Sequence, residues 1–74
     1  MSIFVIDDHP LMREAVVMLL RRLRASTQVV ELERLASVNK AIIEHGEPEL
    51  VCLDLKLPDT NGVSGVREIR QMLP

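Results

Sequence analysis

Two short apolar runs that each end in aspartate constrain the fold of this chain more than any other feature. The first, residues 3–6 (IFVI), is followed by Asp7 and Asp8, and the second, residues 50–53 (LVCL), is followed by Asp54. Both runs are rich in strand formers and too short for a helix. Continuous apolar runs are typical of parallel strands buried on both faces. We therefore expect two strands whose carboxyl ends carry acids.

The segments that follow these two runs have helical spacing. Pro10 suits the first turn of a helix, since its missing N–H costs nothing there. Residues 63–73 repeat helical spacing after Gly62. Charged residues interrupt both apolar stripes, which predicts two amphipathic helices with one face against the sheet. In the first helix the predicted apolar stripe consists of Leu11, Met12, Ala15, Val16, Leu19, Leu20 and Leu23.

The residue pattern in the middle of the chain predicts a second strand and a second helix. Residues 28–35 (QVVELERL) mix apolar and polar positions, as expected for a strand at a sheet edge. Ser37 can cap a short helix that Gly46 ends. The resulting order, β-α-β-α-β-α, implies an α/β fold with a parallel sheet and right-handed crossovers.

Composition narrows the classes of function. The 74 residues suffice for one small domain, and their net charge of −2 speaks against binding a nucleic-acid backbone. Phe4 is the single aromatic residue, so no platform exists for stacking bases. Apolar runs are too short for a membrane span. The single cysteine, Cys52, lies in a predicted buried strand and indicates a reducing, cytoplasmic setting without disulfides.

The acids at the two strand ends predict a cation site. If the first and third strands are neighbours, Asp7, Asp8 and Asp54 meet at one end of the sheet and repel one another unless a cation lies among them. Carboxylates suit Mg²⁺, which also leaves room for phosphate oxygens. A carboxylate there can attack a phosphoryl group to form an aspartyl-phosphate. The alternative is that Asp8 only caps the next helix while Asp7 is solvated.

Three separated motifs resemble the receiver domain of two-component response regulators. They are Asp7-Asp8-His9-Pro10 after one strand, Asp54-Leu55-x-Leu57-Pro58 after another, and Gly62 at the start of the next helix. The resemblance runs over residues 3–73. It implies a flavodoxin-like (CheY-like) parallel sheet with strand order 2-1-3, and a loop shaped by Pro58 and Gly62.

The resemblance also implies a site and partners. Asp54 would be the phospho-acceptor for a sensor histidine kinase. Asp8 and Asp54 would bind Mg²⁺ directly, Asp7 through water, and Lys56 through its backbone carbonyl. The opening DDHPLMRE is particularly similar to receivers joined to LuxR-type helix-turn-helix transcription factors. That similarity implies control of transcription through a DNA-binding domain that is not in this chain.

Receivers continue through two further strands and helices, which supply a Ser/Thr and a Lys to the phosphate site. The resemblance implies that residues 1–74 are the first three βα units of a receiver. The outer edge of the third strand, Leu50–Leu53, would then be apolar and unpaired, which folded proteins usually avoid. We expect two copies to pair antiparallel along this edge, in the sheet order 2-1-3-3′-1′-2′.

Two other functions remain open from the sequence. The chain could be a receiver fragment that is not phosphorylated and acts only by dimerising. It could also be a Mg²⁺-dependent phosphohydrolase of the haloacid-dehalogenase type, which forms an aspartyl-phosphate. Those enzymes usually have Asp-x-Asp at the nucleophile, whereas here Lys56 holds the place of the second acid. We therefore expect a signalling module and not an enzyme.

Overall fold

The computed structural model describes residues 2–57 and 62–73, so the predicted turn at Pro58 and residues 59–61 lies outside the described residues. Strands and helices alternate along the described chain, as the sequence predicts. No helix in the described part of the chain is both long and apolar enough to cross a membrane. The elements are β1 (Ser2–Ile6), α1 (Pro10–Leu23), β2 (Gln28–Leu32), a short 3₁₀ helix (Leu35–Ser37), α2 (Val38–His45), β3 (Leu50–Leu53) and α3 (Val63–Met72).

The three strands form one parallel sheet in the order β2-β1-β3. In the register, Phe4 of β1 lies between Val30 of β2 and Val51 of β3. All five residues of β1 are buried, because this strand is central and has helices on both faces. The predicted strand order 2-1-3, the central first strand and the edge position of the second are confirmed.

Alternate residues of β1 belong to two separate cores, since successive side chains point to opposite faces. Phe4 and Ile6 belong to one core, which we call the α2–α3 face. Ile3 and Val5 belong to the other, the α1 face. The α2–α3 face also contains Val30, Leu35, Val38, Ala41, Leu57 and Ile69. On the α1 face the third buried member is Val17, and Val16, Leu20, Val29 and Cys52 are partly buried against it.

The predicted apolar stripe of α1 is wrong for most of its members. The residue of α1 that is buried is Val17, which the stripe did not include. Val16 and Leu20 of the stripe are half-buried, whereas its other five members are exposed. Apolar residues surround most of this helix, so their spacing does not select one face. The contact with Ile3 and Val5 decides which face is inside.

The second strand ends earlier than predicted. It stops at Leu32, and Leu35 lies in the 3₁₀ helix, where it is buried in the α2–α3 face. Ser37 does not act as the predicted cap: its backbone is helical (φ −81°, ψ −8°) and its side chain makes no capping hydrogen bond. The 3₁₀ helix continues directly into α2, so the chain has no extended residue there to serve as a cap.

Two glycines occupy backbone conformations that other residues rarely adopt. Gly46 ends α2 with φ 82°, and Gly62 precedes α3 with φ 50°. Glycine has no Cβ, so it reaches positive φ without steric cost. The predicted end of α2 at Gly46 and the predicted start of α3 after Gly62 are both confirmed.

Candidate functional site

The carboxyl ends of β1 and β3 bring the predicted acids to one edge of the sheet. The N–H of Asp7 donates to the carbonyl of Leu32 at 3.0 Å, and the N–H of Asp54 donates to the carbonyl of Ile6 at 2.9 Å. These bonds continue the strand ladders for one residue beyond each strand. Asp7, Asp8, His9 and Asp54 can each offer one ligand atom, and these atoms all lie within 4.8 Å of one another.

The three carboxylates differ in their access to solvent. The side chain of Asp7 is 16% exposed, that of Asp54 21%, and that of Asp8 36%. Successive side chains at the end of a strand point in opposite directions, so adjacent Asp7 and Asp8 differ in solvent exposure. Asp8 does not cap α1, whose first flanking residue is His9 and which has no side-chain cap. The interpretation of Asp8 as a cap is therefore wrong.

His9 lies among the three acids, which the sequence reasoning did not predict. Its Nδ1 is 3.0 Å from Asp7 Oδ1, 3.1 Å from Asp8 Oδ1 and 3.4 Å from Asp54 Oδ2. Its backbone N–H also donates to Asp7 Oδ1, at 2.8 Å. The sequence signal was its position directly after two acids at a strand end, where the chain must turn into α1.

The interactions within this cluster shift the pKa values of two of its members in opposite directions. The hydrogen bond to Asp7, then the charge of Asp8, raises the pKa of His9 above its usual value. Burial by itself would raise the pKa of Asp7, but the backbone and side-chain hydrogen bonds from His9 outweigh burial and lower it. Both shifts favour a positive charge among the carboxylates.

The backbone after β3 orients Asp54. The N–H of Lys56 donates to Asp54 Oδ1 at 3.0 Å, while Oδ2 of the same carboxylate faces His9. An aspartate that accepts a hydrogen bond from the N–H two residues later is held in one orientation. Lys56 therefore lies beside the acids. A ligand role for its carbonyl stays a prediction.

Arg13 is a second residue at this site that the sequence did not predict. Its side chain is only 14% exposed. One guanidinium nitrogen donates to the backbone carbonyl of Asp7 at 2.8 Å, and Nε donates to Glu31 Oε1 at 3.2 Å. Arg13 thus connects α1 to the ends of β1 and β2 and holds the backbone that carries Asp7.

The donor set fits a divalent cation. Three carboxylates supply the hard oxygen atoms that Mg²⁺ prefers, and they lie close enough to share one ion. A cleft of about 160 Å³ adjoins two of these acids. It is lined by Val5, Ile6, Asp7, Val16, Cys52, Leu53 and Asp54. The arrangement can bind an ion at its acidic edge and admit a small group beside Asp54.

Known proteins resemble this chain over nearly its whole length. The chain is 32% identical over 73 residues to the glycerol metabolism activator of Pseudomonas putida and also to the transcriptional regulatory protein LnrK of Bacillus subtilis (strain 168). These matches cover 99% of the chain but 33% of each relative, so the chain spans about a third of their length.

A solved structure shares the fold. The crystal structure of a two-component response regulator of the LuxR family from Aurantimonas sp. SI85-9A1 superposes with a TM-score of 0.77 at 33% identity, covering 95% of this chain and 49% of that one. Residues 3–74 match the family described as the response regulator receiver domain. The chain therefore belongs to the response regulator receiver domain family.

Proposed function

We propose that residues 1–74 are the first three βα units of a receiver that controls transcription in the cytoplasm through a DNA-binding output domain outside this chain. The family match covers almost the whole chain, and the relatives include proteins named as transcriptional regulators. Their greater length leaves room for the remaining receiver units and an output domain.

Asp54 is the proposed phospho-acceptor, and a sensor histidine kinase is the proposed donor. The observation that carries this proposal is the position of Asp54 directly after β3, with its carboxylate within 4.8 Å of ligand atoms of Asp7 and Asp8. A carboxylate oxygen attacks the phosphorus of a phosphohistidine, the P–N bond breaks, and the imidazole leaves. The product is an aspartyl-phosphate at Asp54.

Mg²⁺ is the proposed cofactor. Asp8 and Asp54 would hold it directly, Asp7 through water, and Lys56 through its backbone carbonyl. When bound, the ion neutralises charge on the transferring phosphoryl group. The protein's own contribution is orientation: the Lys56 N–H holds Asp54, and Arg13 holds the Asp7 backbone.

Chemical phosphorylation tests this proposal. The chain is incubated with acetyl phosphate and Mg²⁺, and the product is analysed by intact mass and peptide mapping. We expect one phosphoryl group at Asp54 and no modification in Asp54→Asn. The control is Glu68→Gln, which removes an exposed acid of α3 outside the acidic cluster and should be modified normally. Modification that persists in Asp54→Asn, or a folded wild-type chain that stays unmodified, contradicts the proposal.

Dimerisation through β3 is a second candidate function, favoured by the exposed edge of that strand. Within the described residues, β3 pairs with β1 alone. Leu50 is 47% exposed. A further apolar groove of about 110 Å³ adjoins the same strand, lined by Val51, Leu53, Val66, Ile69 and Arg70. An unpaired apolar edge is a template for a second strand.

Pairing about a twofold axis would make the new β3–β3′ ladder antiparallel, in a six-stranded sheet. Size-exclusion chromatography with light scattering measures the mass. We expect a dimer for the wild type, a monomer for Leu50→Lys, and a dimer for the control Leu11→Lys, which alters an exposed residue of α1. A folded wild-type monomer at micromolar concentration excludes this function. The phosphohydrolase alternative has no supporting observation, because Lys56 replaces the second acid.

A further inference from the structure

Arg13 binds the segment that carries two of the acids at two points. Its guanidinium donates to the carbonyl of Asp7 at 2.8 Å, and its backbone N–H donates to the carbonyl of His9 at 2.9 Å. These two carbonyls lie on either side of Asp8. The last residue of β1 in register with β2 is Ile6, so the Asp7 carbonyl lies beyond the paired strand and takes its donor from this side chain. Arg13 therefore fixes the backbone from which both acids project.

The other side of the same guanidinium is held by residues at the end of β2. Arg13 Nε donates to Glu31 Oε1 at 3.2 Å, whereas Nη2 lies 3.9 Å from Glu33 Oε1. The side chain of Glu31 is 43% exposed and that of Glu33 is 72% exposed. A hydrogen bond between two charged groups is stronger than a neutral one, and of these two contacts only the one to Glu31 has hydrogen-bond length. Glu31 is thus the residue that aims Arg13 at the Asp7 carbonyl.

The ligands of a metal ion depend on neighbours that hold them in place, and the loss of such a neighbour lowers metal affinity by about 10–100-fold. We propose that Arg13 and Glu31 form a positioning pair that sets the affinity of the acids at the sheet edge for a divalent cation, although neither residue contacts the ion. Glu31 belongs to β2, a strand outside the acidic cluster and across β1 from Asp54. This inference rests on the cation site of the proposed function and adds two residues that control its affinity.

Both contacts need the planar guanidinium. Its nitrogens point in fixed directions, so Arg13 donates to a backbone carbonyl after β1 and to a carboxylate on β2 at the same time. A lysine at this position keeps the positive charge but has a single nitrogen on a flexible chain, which does not hold both partners in that geometry. Arg13→Lys therefore separates the effect of positioning from the effect of charge.

The chain contains matched controls for both residues. Arg24 follows α1 and also pairs with a glutamate, since its Nη2 lies 3.0 Å from Glu49 Oε2. Glu49 precedes β3, so this pair lies at the opposite end of the sheet from the acids. Arg24→Lys makes the same chemical change as Arg13→Lys at that distant pair. Glu33→Ala removes the same charge as Glu31→Ala but only the 3.9 Å contact.

The test is a Mg²⁺ titration at physiological ionic strength, where exposed charges are screened. The amide NMR signals of Asp7, Asp8 and Asp54 give the dissociation constant of each variant. We expect Arg13→Lys and Glu31→Ala each to weaken Mg²⁺ binding by about tenfold or more. The double variant should bind Mg²⁺ as Arg13→Lys does, because the two residues act as one unit. The two control variants, Arg24→Lys and Glu33→Ala, should bind Mg²⁺ as tightly as the wild type.

Three results overturn the inference: wild-type Mg²⁺ affinity in Arg13→Lys, equal losses of affinity in Glu31→Ala and Glu33→Ala, or a double variant in which the two losses add. Far-UV circular dichroism checks the fold of each variant. If Arg13→Lys does not fold, the comparison of Glu31→Ala with Glu33→Ala decides, because both of these positions are exposed.

Modification of Asp54 by acetyl phosphate is measured in parallel on the wild type, so that two separate failures can be told apart. Modification together with Mg²⁺ affinities that do not depend on Arg13 and Glu31 defeats this inference alone. Mg²⁺ binding that depends on both residues, without modification of Asp54, defeats the phospho-acceptor role alone. A folded wild type that binds no Mg²⁺ defeats both.

Discussion

The two faces of the sheet are covered to very different extents. Among the described residues, the α2–α3 face has eight buried residues, contributed by β1, β2, α2, α3 and the segments beside them. The α1 face has three, Ile3, Val5 and Val17, beneath a single helix. Leu19 and Leu23 of that helix are more than half exposed, although both are large and apolar. The same central strand therefore supports a broad core on one side and a narrow one on the other.

This difference shows that apolar content and burial are separate properties. Burial stabilises in proportion to the apolar area removed from water, and each apolar residue needs a neighbour to cover it. β1 has neighbours on both faces, so all of its side chains are buried. The outer side of α1 has no covering element among the described residues, so equally apolar side chains there contribute little to stability.

The largest expected effect is at the centre of the α2–α3 face. Phe4 is fully buried, so Phe4→Ala should lower the free energy of unfolding by about 3–5 kcal/mol through lost burial and a residual cavity. Small domains have little stability to spare, so this variant should be largely unfolded at ambient temperature. Urea denaturation followed by circular dichroism measures the loss. Met18→Ala, on the exposed side of α1, is the control.

A matched pair of conservative changes compares the faces directly. Ile6 on the α2–α3 face and Ile3 on the α1 face are both fully buried. The change of Ile to Val should cost about 0.5–1.5 kcal/mol, with Ile6→Val near the upper end and Ile3→Val near the lower. Fewer buried residues surround Ile3 than Ile6, so the lost methyl group should break fewer contacts on the α1 face. Equal losses in the free energy of unfolding of the two variants would show that the two faces are packed equally closely.

The smallest change in stability is expected on the outer side of α1. Leu19 is 56% exposed, so Leu19→Lys should alter the free energy of unfolding by no more than about 0.5 kcal/mol. Thermal unfolding at several protein concentrations measures it. A loss of several kcal/mol that grows with concentration would show that a second molecule covers this helix, and that the two faces are equally buried in solution.

The acids at the sheet edge, where the two faces meet, predict a pH dependence. The folded-state pKa of His9 is raised, so its contribution to stability is complete below its unfolded pKa and is lost as pH rises through the folded pKa. The pKa of Asp7 is lowered, so its contribution is lost as pH falls through the folded pKa. The pair therefore stabilises most between these two titrations.

An NMR titration of the His9 ring protons checks this prediction in metal-free solution. The folded chain should titrate above the usual histidine value, and Asp7→Asn should move the titration downward, because the hydrogen bond to Asp7 is the largest cause of the shift. If the pKa of His9 is unchanged in Asp7→Asn, the ring does not lie among the carboxylates.

Much of the fold could be predicted because local signals and the tertiary structure agree. The continuous run before Asp7 identified a central strand, and Gly46 and Gly62 marked the limits of two helices. The end of β2 was not predictable in this way. Leu35 continues an apolar pattern compatible with a strand, but the 3₁₀ helix places it in the core beneath α2. Local periodicity does not distinguish a strand from a 3₁₀ helix when either would bury Leu35 in the same core.

The candidate site was likewise predictable only in part. Asp7, Asp8 and Asp54 were predictable as neighbours, because parallel strands present their carboxyl ends at one edge. His9 and Arg13 were not. Their roles depend on how the chain turns into α1 and how that helix rotates against the sheet, which brings Arg13 to the Asp7 carbonyl.

The sequence by itself determined the order of strands and helices, the central position of β1 and the meeting of three acids, because these follow from runs of apolar residues that end in aspartate. Only the tertiary structure decided which side of α1 is buried, that Leu35 leaves the strand, and that His9 lies among the carboxylates. The physical reason is that a helix with apolar residues on most sides has no preferred face until it packs, and side chains at strand ends take their positions from that packing.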